Sequence, residues 1–251
     1  MLQKANDNRI ITKQTSNSHV NCNNCSIRKL CLPVMLVEAE VDHLDSIIQK
    51  SSAIQKGQYI FHVGQKFEHI YAVRAGSFVN TSVSSDGVQQ ITGFFLPGEI
   101  IGLDSIHSGN HPSSARALET SSVCAIPFEK LEGLSTQIPA LQKQIFKVMS
   151  REIQVEHDLM MLLGNKSADE RMAAFLINLS HRFKQRGLSS TQFRLTMTRS
   201  QIGGYLGLAV ETVSRLLTRF SKQNLIKVAD KEIEITDILK LASLAGTECV
   251  T

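Results

Sequence analysis

The stretch TRSQIGGYLGLAVETVSRLLTRFSK, residues 198–222, decides the fold of the C-terminal part of the chain. Thr198 and Gln201 form a capping box, the reciprocal pairing that starts a helix. Gly207 supplies the turn after this helix, and a second helix is predicted to begin at Val210. Two short helices joined through a glycine-containing turn are typical of a helix-turn-helix.

The second helix of this motif has an apolar face and a polar face. Its inward positions are Val213, Leu216, Leu217 and Phe220, and its outward positions are Glu211, Ser214, Arg215, Thr218, Arg219 and Lys222. In the major groove an arginine can donate hydrogen bonds to guanine O6 and N7, and a carboxylate can accept a hydrogen bond from cytosine N4. Glu211 and Arg215, with Ser214 beside them, are therefore candidate base readers. The phosphate backbone is assigned to Arg199, Arg219, Lys222 and Lys231, and Thr218 completes the DNA-binding face. The alternative is a plain surface pair of Glu211 with Arg215, worth about 0.2 to 0.5 kcal/mol.

The charge distribution agrees with a nucleic-acid partner. From Phe193 to Lys231 there are seven basic and two acidic residues, although the whole chain of 251 residues has a net charge of only +4. A compact basic patch indicates an anionic polymer, because each Lys or Arg that neutralises a phosphate releases a counterion. Apolar residues on both sides of Ala229-Asp230-Lys231 predict a hairpin that would form a wing beside the helices.

The middle of the chain, from about Ser52 to Phe128, has the pattern of short strands separated by turns. Glycines recur every 11 residues, at Gly76, Gly87, Gly98 and Gly109, with apolar-rich runs between them. Ser85-Asp86-Gly87 is a hairpin turn signal. We therefore predict an antiparallel barrel or roll, and we find in it neither a glycine-rich phosphate loop nor a catalytic constellation, which argues against an enzyme.

A long helix predicted from about Pro139 to Gly164 carries two apolar seams rather than one. The first seam comprises Leu141, Ile145, Val148, Val155, Leu159 and Leu162. The second seam comprises Phe146, Met149, Ile153, Met160 and Leu163, with Glu156 at the one position where an apolar residue is missing. Two seams need two partners, so we expect the first against the chain's own barrel and the second against another copy of the same helix. Glu156 would then approach its symmetry mate, and this repulsion would make the dimer conditional.

Four of the five cysteines indicate a metal site. Cys22, Cys25 and Cys31 form a C-x2-C-x5-C run, and Cys124 lies far downstream. This spacing matches neither a zinc ribbon nor a ferredoxin, so zinc and an iron-sulfur cluster both remain open, as does a local Cys3His zinc knuckle with His19. A role as buried small hydrophobes suits Cys124 and Cys249 individually but not three cysteines in one polar run.

These segments predict an α+β chain in four parts. Residues 1–18 are polar and expected to be disordered, 19–138 form the cysteine segment and β-roll sensor domain, 139–165 the dimerisation helix, and 166–251 a winged helix-turn-helix domain. The sequence shows no secretory signal and no apolar stretch of membrane-spanning length, which favours a cytoplasmic protein without a membrane partner.

The segment from Phe193 to Leu217 resembles the DNA-binding motif of the cyclic-AMP-receptor/fumarate-nitrate-reduction superfamily. The E-x-x-S-R element of Glu211, Ser214 and Arg215 is similar to that of the oxygen-sensing fumarate and nitrate reduction branch. Val210 stands where cyclic-AMP-type relatives carry an arginine. The similarity extends through ITGFFLPGE (residues 91–99) and ALET (residues 117–120) to the cysteines.

This resemblance implies a β-roll of the cyclic-nucleotide-binding type and one [4Fe-4S] cluster per subunit, on Cys22, Cys25, Cys31 and Cys124. It further implies that the intact cluster favours a homodimer, which binds double-stranded DNA at TTGAT-N4-ATCAA-like sites and activates or represses genes of anaerobic metabolism. Oxygen would convert the cluster to a [2Fe-2S] form and monomerise the protein. Arg28 and Lys29 would offset the cluster's charge, and Ile27 and Leu30 would shield it. The tip loop with Ser85, Asp86 and Gly87 corresponds to one that touches RNA polymerase in the family.

The same comparison argues against a cyclic nucleotide as ligand. Nucleotide-binding relatives have a Glu and an Arg-Ser pair in their phosphate cassette, where this chain has Leu103 and His111-Pro112. Pro112 has no backbone N–H to offer a phosphate. Arg116 is a substitute candidate, but we expect it on a strand, paired with a neighbouring acid. The remaining alternatives are a redox enzyme that uses the cluster and a nucleotide-gated regulator with a structural zinc.

Overall fold

The structure is a computed structural model that describes residues 21–84 and 86–246. The helices are α1 (Glu38–Ile47), α2 (Phe128–Gln137), α3 (Pro139–Asn165), α4 (Ala168–Gln185), α5 (Arg199–Leu206), α6 (Val210–Lys222) and α7 (Ile238–Ala245). The strands are β1 (Gln49–Lys50), β2 (Tyr59–Phe61), β3 (His69–Ala75), β4 (Phe78–Val83), β5 (Gln89–Phe95), β6 (Ile100–Ile101), β7 (Ser113–Ala117), β8 (Ser122–Pro127), β9 (Gln192–Arg194), β10 (Ile226–Ala229) and β11 (Glu232–Ile235). The expected disorder of residues 1–18, the alternative ligand His19, the turn residue Ser85 and the unused Cys249 lie outside the described residues.

The predicted antiparallel roll is confirmed. One four-stranded sheet has the order β1-β8-β3-β6 and the other the order β2-β7-β4-β5. Fully buried side chains of both sheets, among them Phe78 and Ile101, form the core between them. The recurring glycines serve as turns: Gly76 and Gly98 have φ angles of 76° and 92°, a region that side-chain-bearing residues rarely adopt.

A second core lies on the other face of the first sheet. Successive residues of a strand point to opposite faces, so on β8 Val123 and Ala125 join the core of the roll. Cys124 and Ile126 instead pack into the second core, to which α1, α2 and the start of α3 also contribute. We call this second core the helical core. Cys22 lies in it as well, so strand alternation brings the distant cysteine to the cysteine segment.

The chain divides into two compact units. The first contains the residues up to Ser82 together with Phe94–Val148, and the second contains Val83–Gly93 together with the residues from Met149 onward. The first seam of α3 packs in the helical core through Leu141, Ile145 and Val148. Val155 of the same seam belongs to the second unit and is 43% exposed, so the expected packing against the chain's own roll does not extend to this residue.

The second unit contains the predicted winged helix-turn-helix. Both capping boxes form as expected, at Ser167 with Glu170 and at Thr198 with Gln201, and each helix starts at the next residue. The turn residue Gly207 has a φ angle of 64°. The wing is a three-stranded antiparallel sheet of order β10-β11-β9. None of the described helices is long and apolar enough to cross a membrane.

Candidate metal centre and nucleic-acid interface

The cysteine segment runs along the helical core of the first unit. Cys22 is buried, and its backbone N–H donates to Asp45 Oδ1 on α1 at 2.9 Å. Cys31 separates the 3-10 helices Arg28–Leu30 and Leu32–Met35, and it packs against the helical core together with Cys124. All four described cysteines, which include the half-buried Cys25, are free thiols.

Side chains at Arg28 and Leu30 help to hold the cysteine segment in place. The guanidinium of Arg28 donates to Asn23 Oδ1 at 3.1 Å and to the carbonyl of Leu36 at 3.2 Å, which ties both ends of the segment together. Leu30 packs directly on Gly98 of the roll: a Cβ added at Gly98 would lie 2.7 Å from Leu30 Cβ. The predicted role of Arg28 in offsetting charge thus accompanies a structural role that the sequence did not indicate.

Burial opposes ionisation of these thiols. It raises the pKa of Cys31 to about 12 and that of Cys124 to about 11. It also raises the pKa of Cys22, which in addition hydrogen-bonds the Asp45 carboxyl group. Arg74 and Lys50 lower the pKa of Cys124 in part, and the remaining causes include the neighbouring cysteines themselves. A bound cation would favour the thiolate form of Cys22, Cys31 and Cys124, since its charge deprotonates a coordinating thiol.

The donor set fits an iron-sulfur cluster in chemistry. Cys22, Cys31 and Cys124 belong to the helical core, and Cys25 lies close enough to Cys31 and Cys124 to raise the pKa of both. Iron-sulfur clusters are held by four cysteine thiolates. Among the described residues no three His, Cys, Asp or Glu side chains are grouped closely enough to hold a single metal ion. This does not test a cluster, since its four thiolates bind four different iron atoms.

The second candidate site is the outward face of α6. Val213, Leu216, Leu217 and Phe220 are buried, as predicted. The outward residues Ser214, Arg215, Thr218, Arg219 and Lys222 line one open groove. Glu211 is exposed and makes no hydrogen bond or ion pair within the part of the chain that the structure describes. Arg215 donates to Thr212 Oγ1 at 3.2 Å, so the surface pair considered as the alternative is not formed.

Neighbouring elements position two more residues of this face. Arg199, in the first turn of α5, donates to Ser214 Oγ at 3.2 Å and so links the two helices of the motif. Arg219 forms an ion pair with Asp169 in the first turn of α4. Asp169 is not predictable from the sequence, because its carboxylate lies 50 residues away and no local pattern connects the two.

The second seam of α3 is largely uncovered in the single chain. Phe146, Ile153 and Met160 are 61%, 53% and 66% exposed. Met149 and Leu163 are half-buried, and Glu156 is exposed within the same seam. The tip loop of the β4–β5 hairpin is also exposed at Asp86 and Gly87, and its turn is closed by the Gly87 N–H, which donates to the Ser84 carbonyl at 2.9 Å.

At His111 the interior of the roll is filled by the chain's own side chains. His111 is buried, its Nδ1 lies 2.7 Å from Ser105 Oγ, and its ring stacks on Phe61 with centroids 3.6 Å apart. Burial lowers the pKa of His111 to about 4, so the ring is neutral near pH 7. Arg116 lies on a strand, β7, as expected, but the expected acidic partner is wrong. Its guanidinium carbon lies 5.9 Å from the ring centroid of Tyr59, because β7 pairs with β2 and places Tyr59 opposite it.

Comparison with known proteins agrees with this architecture. Residues 52–137 match the family model of the cyclic nucleotide-binding domain, and residues 170–244 match that of the Crp-like helix-turn-helix domain. The fumarate and nitrate reduction regulatory protein of Escherichia coli is 49% identical over 241 residues, which cover 96% of each chain. The chain belongs to the FNR/Anr family of the CRP/FNR superfamily.

Further relatives place this FNR/Anr-type chain among transcription regulators, not enzymes. The transcriptional activator protein Anr of Pseudomonas protegens is 49% identical over 234 residues, 93% of this chain and 96% of that protein. The structure of FixK2 from Bradyrhizobium japonicum superposes with a TM-score of 0.72 at 28% identity, covering 82% of this chain and all of that one.

Proposed function

We propose that this FNR/Anr-type regulator senses oxygen through one [4Fe-4S] cluster per subunit, held by Cys22, Cys25, Cys31 and Cys124. The observation that carries the proposal is the strand alternation of β8, which turns Cys124 to the same helical core that contains Cys22. Without it the distant thiol would point into the roll. When bound, the cluster would supply oxygen-sensitive chemistry. The chain's own residues would make dimerisation depend on whether the cluster is bound.

The helical core provides the route from cysteines to dimer. Cys22 and Leu141 are buried in this one core, and Ile145 and Val148 pack against it from the next turns of α3. Ligation would anchor the cysteine segment to β8, and the segment in turn supports the start of α3. Loss of ligation would leave only hydrogen bonds and packing to hold the segment, among them those of Cys22, Arg28 and Leu30, so α3 would lose part of its support.

The cluster is tested by iron and sulfide analysis of anaerobically purified protein. We expect about four irons and four sulfides per chain, as for a cluster with four cysteine ligands. Replacement of any one of Cys22, Cys25, Cys31 and Cys124 by Ala should abolish assembly. Cys249→Ala is the matched control and should assemble normally. Stoichiometric zinc without labile sulfide would instead support a nucleotide-gated regulator with a structural zinc.

The active form is proposed to be a homodimer through the second seam of α3. Three of its five apolar side chains are more than half exposed, which a stable surface helix avoids unless a partner covers it. Ile153→Glu should stay monomeric in sedimentation even when the cluster is intact. Met161→Glu is the control, since Met161 is 62% exposed but lies outside the seam. A monomeric control variant, or a dimeric Ile153→Glu, would contradict this interface.

DNA is proposed to be read by Glu211, Ser214 and Arg215 in the first turns of α6, on inverted TTGAT-like half-sites about 34 Å apart. Backbone contacts are proposed for Arg199, Thr218, Arg219 and Lys222. The exposed Asp86 and Gly87 are the proposed contact with RNA polymerase. No cyclic nucleotide is required, because His111 and its stacked partner already occupy the interior of the roll.

A further inference from the structure

One guanidinium joins two helix ends in the second unit. Arg171 lies in the first turn of α4, half-buried. Its Nη2 donates to the carbonyl of Leu163 in the last turn of α3 at 2.7 Å, and its Nε donates to the carbonyl of Lys166 just after α3 at 2.9 Å. Its Nη1 donates to the carbonyl of Leu206, the last residue of α5, at 3.1 Å. Arg171 therefore bridges the long helix α3 and the first helix of the helix-turn-helix.

The chemistry of helix ends explains why an arginine suits this place. The last four carbonyls of a helix have no partner within it, and they carry the negative end of the helix dipole. A planar guanidinium has five N–H donors in a rigid fork and can serve carbonyls of two helices at once, whereas an ammonium is a point charge on a flexible stem. Removing the guanidinium would leave α3 and α5 without this charged link.

The turn of the motif packs against the same junction. A Cβ added at Gly207 would lie 3.4 Å from Arg171 Nη1 and 3.8 Å from Leu163 Cδ2. Gly207 lies three residues before Val210, the first residue of α6. The turn before the recognition helix therefore packs against the end of α3.

We propose that Arg171 is a positioning residue that sets the orientation of the recognition helix relative to α3. The proposal rests on the proposed dimer, in which the two α3 helices meet at the twofold axis. If each recognition helix is held to its own α3, the separation and angle between the two recognition helices are set as well. Arg171 would then determine which spacing of half-sites the dimer accepts, without touching DNA.

The spacing of half-sites provides a readout that simple loss of stability would not change. Each base pair added to or removed from the four-base spacer shifts the half-sites by about 3.4 Å and rotates them by about 34°. Anaerobic binding by the cluster-loaded protein is measured on sites with three, four and five spacer base pairs. Arg171→Ala should keep the dimer and the half-site sequence preference. Its preference for the four-base spacer should fall about tenfold. This is the order expected for loss of the one charge-assisted hydrogen bond that joins Arg171 to α5.

Two further variants separate the possible causes. Arg171→Lys keeps the positive charge and the long stem, so it should fold as the wild type does yet lose spacing preference as Arg171→Ala does. Arg186→Ala is the control: Arg186 is the C-cap residue at the other end of α4, and its guanidinium donates to the Arg182 carbonyl of that helix. This control should keep the wild-type spacing preference.

The outcomes are distinct. Weaker binding by Arg171→Ala at all three spacings alike would mean a merely structural role and overturn the proposal. Wild-type spacing preference in Arg171→Lys would also overturn it, because charge alone would suffice. A wild-type protein that fails to dimerise or to bind inverted half-sites would instead contradict the proposed function, and this is visible before any variant is compared.

Discussion

Gly98 is the position where a single methyl group tests whether the cysteine segment must rest on the roll. Its φ of 92° would disfavour any side chain by about 1 to 2 kcal/mol. In addition, an added Cβ would lie 2.7 Å from Leu30 Cβ, an overpacking that costs about 1 to 3 kcal/mol. Because Leu30 immediately precedes Cys31, the chain can relieve this contact by moving Cys31, a proposed cluster ligand, away from the helical core.

Gly57→Ala is a matched control for the backbone part of this cost. Gly57 has a φ of 88° and nothing within 4 Å of an added Cβ. The difference between the two variants therefore isolates the contact with Leu30. We expect Gly57→Ala to assemble its cluster normally. We expect Gly98→Ala to lose about a further 1 to 3 kcal/mol of stability or to hold its cluster at least about tenfold less tightly, since 1.4 kcal/mol corresponds to tenfold.

The assay combines iron and sulfide analysis after anaerobic reconstitution with urea unfolding of the cluster-free protein. A second substitution sharpens it: Leu30→Gly in the Gly98→Ala background removes the clashing Cβ and should restore assembly, whereas Leu30→Ala keeps that atom and should not. If Gly98→Ala assembled its cluster and unfolded like Gly57→Ala, the contact of Leu30 with the roll would not position the ligands.

Three further predictions concern DNA reading, assembly and pH. Arg215→Ala should cost about 1 to 3 kcal/mol per half-site and relax preference at one G·C pair, whereas Lys222→Ala should weaken all sequences alike and lower the salt dependence; equal weakening of specific and random DNA by Arg215→Ala would refute base reading. Glu156→Ala should dimerise and bind its site in air without a cluster, and a monomer in aerobic sedimentation would place the switch elsewhere. Burial lowers the pKa of His111 from 6.5 to about 4 in the folded protein, so between these pH values the unfolded chain binds a proton that the folded chain does not. The contribution of neutral His111 to the free energy of unfolding is therefore fully present above pH 6.5 and is lost as the pH falls toward 4. In urea unfolding, the free energy of unfolding should decrease by up to about 3 kcal/mol over this pH range, and His111→Gln should make the decrease smaller. Burial also lowers the pKa of His69, so an unchanged pH dependence in the variant would assign the effect to His69.

Local chemistry accounts for what the sequence alone determined. The capping boxes at Ser167 and Thr198 depend on residues three apart, and the turn at Gly207 depends on one residue's freedom to adopt a positive φ. The apolar and polar faces of α6 follow from helical periodicity. For this reason the helix-turn-helix, its outward face and the wing were predictable, and the family resemblance rests on the same segment.

Tertiary structure decided which distant residues meet. The sequence contains Cys124 and the cysteine run, but only the alternation of β8 within a paired sheet shows that Cys124 turns toward the helical core and not into the roll. The expected acidic partner of Arg116 was wrong for the same reason, since the pairing of β7 with β2 places Tyr59 next to it. Likewise, the link from Arg171 to α5 and the ion pair of Arg219 with Asp169 join helices whose packing no local pattern specifies. Contacts between residues far apart in the chain depend on strand register and helix packing, and these are set by the whole core rather than by neighbouring residues.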